Sequence, residues 1–140
     1  VLEVIGNLWT YPADVRVITT NGTVKKNGEC VMGRGCALEA KQRWPHIALV
    51  LGKSIRLHGN IVQYFEGYDV FSFPVKHEWY QKADLQLIAE SAQQIQRKLL
   101  ASSTCVLPRP GCGNGGLRWE DVKPVLEPIL DDRFHIITFR

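Results

Sequence analysis

The stretch TCVLPRPGCGNGGLRW, Thr104 to Trp119, holds the plan of the fold in miniature. Thr104 to Leu107 is short and apolar and is bounded by turn formers, the pattern of a buried strand. Gly111 to Gly116 then packs four glycines into six residues, too many for regular structure. Trp119 opens a helical pattern that runs to Leu130, with Pro124 in its first turns and Pro128 kinking or ending it. A strand that feeds a glycine loop and then a helix points backbone N–H groups and the positive end of a helix dipole at one spot. Phosphate oxygens are favoured there. Glycine admits close approach of the backbone to a ligand and makes positive φ cheap. The run Gly111-Cys112-Gly113-Asn114-Gly115-Gly116 formally matches GxGxxG, which taken alone is a weak signal. Only 24 residues follow it here, so a dinucleotide-binding dehydrogenase, which carries this loop early with a long fold beyond it, is not expected.

The same arrangement occurs earlier in the chain. Val15 to Ile18 reads as a strand ending near Thr19-Thr20, followed by a connection rich in Asn and Gly: Asn21-Gly22, Asn27-Gly28, Gly33 and Gly35. Ala37 to Trp44 is helical and Pro45 stops it; a second short helix is expected from His46 to Leu57. This first loop, Gly33 to Leu38, does not complete the GxGxxG pattern. Neither loop ends in Gly-Lys-Ser/Thr, so triphosphate chemistry with magnesium is unsupported. One such loop is as readily an ordinary tight turn. Two at matching strand-to-helix positions predict a two-sided cradle for a diphosphate.

The remaining elements complete the alternation. Leu2 to Ile5 predicts a strand running into Gly6-Asn7. Asn60 to Phe65 and Val70 to Val75 predict a hairpin about Glu66-Gly67. Ala83 to Leu100 is the clearest helix, with Leu85, Ile88, Ala89, Ala92, Ile95 and Leu99 on one stripe. Phe134 to Phe139 is the closing strand. Strands alternating with helices predict an α/β layered fold on a parallel or mixed sheet.

Composition sets the outer bounds. The 140 residues are 45% hydrophobic and 22% charged, which suits one ordinary globular domain spanning 1–140. Val1 opens directly into a strand-like pattern, so no signal peptide is expected, and the absence of an initiator Met points to trimmed residues ahead of it. No apolar run approaches membrane length. The net charge of +3 permits a nucleotide or nucleic-acid ligand without arguing for one. Cys30, Cys36, Cys105 and Cys112 form no CxxC pair and have no His at zinc-ligand spacing, so free thiols in a reducing cytoplasm are expected. Neither a metal nor a cofactor is expected, and the protein is expected to be a monomer.

Taken in order and spacing, five stretches resemble a macrodomain, the ADP-ribose-binding module. They are Val4-Ile5-Gly6-Asn7-Leu8, Thr20-Asn21-Gly22, Val31-Met32-Gly33-Arg34-Gly35-Cys36-Ala37, Phe73-Pro74-Val75-Lys76, and Pro108 through Trp119. The resemblance covers essentially the whole chain. It is nearest to the branch that holds the DarG-type DNA ADP-ribosyl glycohydrolase antitoxins and the terminal ADP-ribose protein glycohydrolases. It implies a three-layer α/β fold, a mixed β-sheet flanked by helices, with an ADP-ribose cleft at the carboxyl edge of the sheet.

By motif, the resemblance places Asn7 and Leu8 near the adenine, with Phe139 as an aromatic face for it. Asn21 hydrogen-bonds the distal ribose, and Thr20 beside it is also a ligand residue. Met32, Gly33, Arg34, Gly35 and Cys36 grip the diphosphate from one side, and Gly111, Cys112, Gly113, Asn114, Gly115 and Gly116 from the other, with Leu117 also a ligand residue. Lys76 matches a lysine that is catalytic in this branch. An amine there acts as a nucleophile if desolvation lowers its pKa, or polarises the bond to be broken. Without the motif, a lone Lys is usually a solvated surface residue.

Two departures bear on substrate. The terminal protein glycohydrolases carry an aspartate in the second loop where this chain has Asn114, Gly115 and Gly116, the antitoxin pattern. The segment Thr23 to Glu29 is longer than its equivalent in the antitoxins, and on these 140 residues their extra C-terminal domain is not expected. Consecutive residues on a strand face opposite ways, so His77 is expected to turn away from Lys76. Trp9, Tyr11, Trp79 and Tyr80 are expected in ordinary packing rather than on a binding rim.

The resemblance thus implies a metal-independent hydrolase, with Lys76 and Asn21 catalytic, that removes ADP-ribose from DNA bases or acidic protein side chains. The alternative is a non-catalytic ADP-ribose reader. A nucleic-acid accessory domain using Lys25, Lys26, Lys41 and Arg43 is a weaker third reading.

Overall fold

The structure, a computed structural model, describes residues 1–139. Six strands form one sheet in the order β1-β6-β5-β2-β4-β3: β1 Leu2–Ile5, β2 Val15–Thr20, β3 Gln63–Phe65, β4 Val70–Pro74, β5 Cys105–Pro108 and β6 Phe134–Thr138. Every neighbouring pair is parallel except β3 with β4, the expected hairpin. The mixed sheet lies between two helical layers. Helices α1 (Gly35–Arg43) and α2 (Ile47–His58) cover one face, and α3 (Leu85–Lys98) and α4 (Trp119–Leu126) cover the other.

The two-residue period of β2 assigns the faces. Val17 packs with Phe73, Ile88, Ile95, Leu107 and Phe134 in the α3–α4 core, whereas its neighbour Ile18 packs with Met32, Ala40, Ile47 and Leu51 in the α1–α2 core. All five residues of β4 are buried, as a strand covered on both faces requires. Phe73 is fully buried, and its truncation to Ala would cost about 3–5 kcal/mol.

The elements depart from expectation in informative places. Helix α1 starts at Gly35, two residues early, so its first turn belongs to the glycine loop itself. Helix α4 ends at Leu126, short of Pro128. On α3 the buried stripe includes Leu87 and Ser91, while Leu85 and Ala89 are only half-buried. The Ser91 hydroxyl donates to the Pro74 carbonyl at 2.7 Å. Strand β3 pairs only with residues 70–72 of β4, so that carbonyl at the strand end gains nothing from the hairpin. A buried serine therefore supplies a donor that a hydrophobic stripe cannot.

Because five strands run parallel, their carboxyl ends share one edge of the sheet. Gly6, Phe139, Arg109, Asn21 and Val75 follow β1, β6, β5, β2 and β4 there. At about 4.8 Å between strands, the row is about 19 Å long.

Candidate functional site

That edge opens into a cleft of about 970 Å³. Both glycine loops line it, as do Asn7, Leu8, Thr20, Asn21, Lys76 and Phe139. Phe139 lies one residue past β6, second in the row after Gly6, and is 76% exposed, an aromatic side chain largely open to solvent. Asn7 is held in a local turn: its Oδ1 accepts the Trp9 N–H at 2.8 Å and its carbonyl accepts the N–H groups of Thr10 and Tyr11.

The first loop ends in the N-terminus of α1. Its N-cap, Arg34, is extended, no side chain caps the helix, and the first turn holds no acidic residue. The leading N–H groups of an uncapped helix are orphan donors, and anions satisfy them. Opposite stands the second loop, with Gly111 at φ 75° and Gly116 at φ 77°. A β-carbon on Gly35 would lie 3.5 Å from the Asn114 side-chain nitrogen, so the two loops face one another closely.

The second loop's glycines divide by role. A β-carbon on Gly111 would come within 3.0 Å of Ile88, Ala83 and Leu117, and one on Gly115 would lie 2.5 Å from the Gly111 carbonyl oxygen. These two are demanded by packing. Gly33 in the first loop and Gly113 in the second meet nothing within 4 Å and border only open cleft.

Two residues assigned to the ligand by sequence are not brought into the cleft. Cys112 and Leu117 both pack against the α3–α4 core, and the Cys112 thiol donates to the Pro110 carbonyl. The loop must anchor some side chains to hold its shape, and its apolar ones turn inward. Cys36 does border the cleft. Its Sγ lies 3.4 Å from both the N and Oγ1 of Thr19, and burial pushes the thiol pKa up, which disfavours thiolate chemistry.

Further along the row, between Arg109 and Val75, Asn21 is braced by its own amide. Its Nδ2 donates to the Val31 carbonyl at 2.9 Å and its Oδ1 accepts the Thr23 N–H at 3.0 Å. Lys76 follows β4 and its amine donates to the Trp79 carbonyl at 3.2 Å. Its own carbonyl accepts from Asn60 Nδ2 at 3.0 Å. His77 points elsewhere, with Nε2 2.8 Å from Asp84, the N-cap of α3, whose carboxyl pKa is lowered mainly by that contact.

Trp79 and Tyr80 line the cleft beside Lys76, at 51% and 66% exposure, in an edge-to-face pair with centroids 5.8 Å apart. They pack on each other at the surface, and both border the cleft. Trp9 also borders the cleft, under Arg43 at 4.6 Å, whereas Tyr11 is drawn away by a 2.7 Å bond to His135. Arg109, unnoticed in the sequence, lines the cleft with its guanidinium 5.0 Å from the Trp119 ring centre; its Nε is buried without a partner. The only sequence signal for it was a cation between two prolines at a strand end.

Among the described residues, no cluster of His, Cys, Asp or Glu is placed to hold a metal ion, and no helix is long and apolar enough to cross a membrane.

No protein-family model matches the chain. A DNA ADP-ribosyl glycohydrolase of Thermus aquaticus is 30% identical over 137 residues, which is 90% of this chain and 36% of that protein. The chain thus spans about a third of the length of the curated relative. The solved macrodomain of Thermus aquaticus DarG superimposes with a TM-score of 0.78 at 25% identity, covering 99% of this chain and 97% of that one. Thermosipho africanus DarTG in complex with ADP-ribose superimposes with a TM-score of 0.79 at 20% identity, over 99% of this chain and 42% of that one.

The three-layer fold and its strand-end cleft define a macrodomain. Within that class the chain belongs with the DarG-type macrodomains.

Proposed function

We propose that this macrodomain binds ADP-ribose along the strand-end cleft and releases it from a modified macromolecule, with Lys76 acting at the anomeric carbon. One observation carries the reading: the row of strand ends orders an aromatic face, two facing glycine loops, a braced Asn and a Lys along one cleft. The order suits adenine at Phe139 and Asn7, the diphosphate between the α1 N-terminus and Asn114, and the distal ribose at Thr20, Asn21 and Lys76. The Thermus aquaticus relative's name supports the activity.

In the reaction the C–N bond between the anomeric carbon and the base breaks, water oxygen bonds to that carbon, and the base leaves with a proton. The Lys76 amine spends one hydrogen bond on the Trp79 carbonyl and keeps others for the ribose or the leaving group. Binding energy from the remote adenine and phosphates positions the scissile bond. A base attached to DNA is the favoured leaving group, because Trp79 and Tyr80 offer exposed aromatic faces beside Lys76.

Lys76→Ala should abolish release of ADP-ribose from a single-stranded oligonucleotide modified on a base, while binding of free ADP-ribose persists. Release at the wild-type rate by that variant would remove Lys76 from the mechanism. A wild-type protein that binds ADP-ribose yet releases none from DNA or from glutamate would be a reader instead.

A further inference from the structure

Lys76 reaches its place through a chain of hydrogen bonds that runs back to Asn21. The Asn21 Oδ1 accepts the Thr23 N–H at 3.0 Å, the Thr23 hydroxyl accepts the Trp79 N–H at 2.9 Å, and the Trp79 carbonyl accepts the Lys76 amine at 3.2 Å. Thr23 Oγ1 also donates to Glu78 Oε2 at 3.1 Å, so the hydroxyl is used both ways.

The two segments are clamped elsewhere too. Gly22 N–H donates to the His77 carbonyl at 3.1 Å, and a β-carbon on Gly22 would lie 2.7 Å from that oxygen. Asn60 closes the other side on the Lys76 carbonyl. These contacts fix where residues 76 and 77 lie. The clamp on Lys76 does not set the backbone at Trp79, however; the Thr23 hydroxyl is the group that receives the Trp79 N–H. The Trp79 carbonyl, in turn, is what the lysine amine leans on.

We infer that Thr23 is a positioning residue for catalysis, anchoring the backbone of Trp79 through its N–H so that the Trp79 carbonyl, one peptide further on, keeps the Lys76 amine at a set spacing from the Asn21 amide across the distal ribose. The inference rests on the proposed catalytic role of Lys76. Thr23 itself does not line the cleft. Its effect is on the rate of bond cleavage, because a misplacement of about 1 Å of a catalytic group costs on the order of 100-fold.

The experiment is single-turnover release of ADP-ribose from a base-modified single-stranded oligonucleotide, paired with calorimetric binding of free ADP-ribose. Thr23→Val keeps the shape and deletes the hydroxyl; the cleavage rate should fall about 10- to 100-fold with ADP-ribose affinity within about threefold of wild type. Thr23→Ser restores the hydroxyl and should recover most of the rate. In a Lys76→Ala background, Thr23→Val should change neither quantity further.

Thr23→Val cleaving at the wild-type rate overturns the inference. So does a Ser variant as impaired as Val, or a loss of affinity that matches the loss of rate, since each marks a merely structural role. Should Thr23→Val not fold, Thr23→Ala is read by the same criteria. Wild-type release by Lys76→Ala alone is a different result, for it overturns the catalytic reading and leaves the hydrogen-bond chain without a reaction to serve.

Discussion

Gly33→Ala separates the fold of the first loop from its use. A β-carbon at Gly33 meets no protein atom within 4 Å, and its φ lies outside the left-handed region. The folded protein therefore accommodates the methyl group without strain. Loss of glycine's freedom in the unfolded chain even favours the variant, by about 0.4–1 kcal/mol. What the methyl does meet is the cleft, on the wall where the α1 N-terminus is proposed to take the diphosphate. One extra carbon in a filled contact costs about 1–3 kcal/mol, which at 1.4 kcal/mol per tenfold is roughly a tenfold to hundredfold loss of affinity. Calorimetry should show that loss for ADP-ribose and for ADP. Adenosine, which lacks the diphosphate, should bind as it does to wild type, and the melting temperature should hold or rise slightly. Gly115→Ala is the contrasting case: its β-carbon would lie 2.5 Å from the Gly111 carbonyl and 2.8 Å from Ala83, so stability falls first. Wild-type ADP-ribose affinity in Gly33→Ala would refute the seating of the diphosphate against this loop.

Three further outcomes follow from the same contacts. Gly52→Ala, whose β-carbon would sit 1.9 Å from the Gly28 carbonyl, should destabilise the protein by about 3 kcal/mol. Thermal melting reads this as a drop on the order of 10 °C, and an unchanged midpoint would mean that α2 does not pack there. The Arg133 guanidinium holds the Asp131 carboxyl well below the usual carboxylate range. Because the folded pKa is depressed, this contribution is complete above the unfolded value of about 4 and is lost as pH falls through the folded one. The stability gap between wild type and Asp131→Asn should narrow below about pH 4, and a gap constant down to low pH would contradict the pairing. Replacing Trp79 and Tyr80 together with alanine should slow release from base-linked ADP-ribose about tenfold more than release from glutamate-linked ADP-ribose, given a stacking contribution of about 1–3 kcal/mol per base. Equal slowing on both substrates would show that the aromatic pair does not read the base.

Much of this was legible along the chain because it is local. The alternation of strand and helix, the glycine loops after β2 and β5, and the stop at Pro45 follow from side-chain periodicity and backbone freedom within a few residues. The family resemblance rests on the same local motifs, and the strand-end placement of Asn7, Asn21 and Lys76 came with them.

What the linear pattern left open depends on which element lies beside which. The order β1-β6-β5-β2-β4-β3 makes neighbours of segments far apart in sequence, and no periodicity encodes that choice. The Thr23 hydroxyl meets the Trp79 amide across 56 positions. Ser91 enters a buried stripe because the Pro74 carbonyl needs a donor, a need created by the short β3. Cys112 and Leu117 turn inward while the equally apolar Trp79 and Tyr80 stay out, since apolar character favours burial only where the fold puts a core beneath the loop. Local propensity names the parts of a site; hydrogen-bond satisfaction and close packing, both non-local, decide which of them face the ligand.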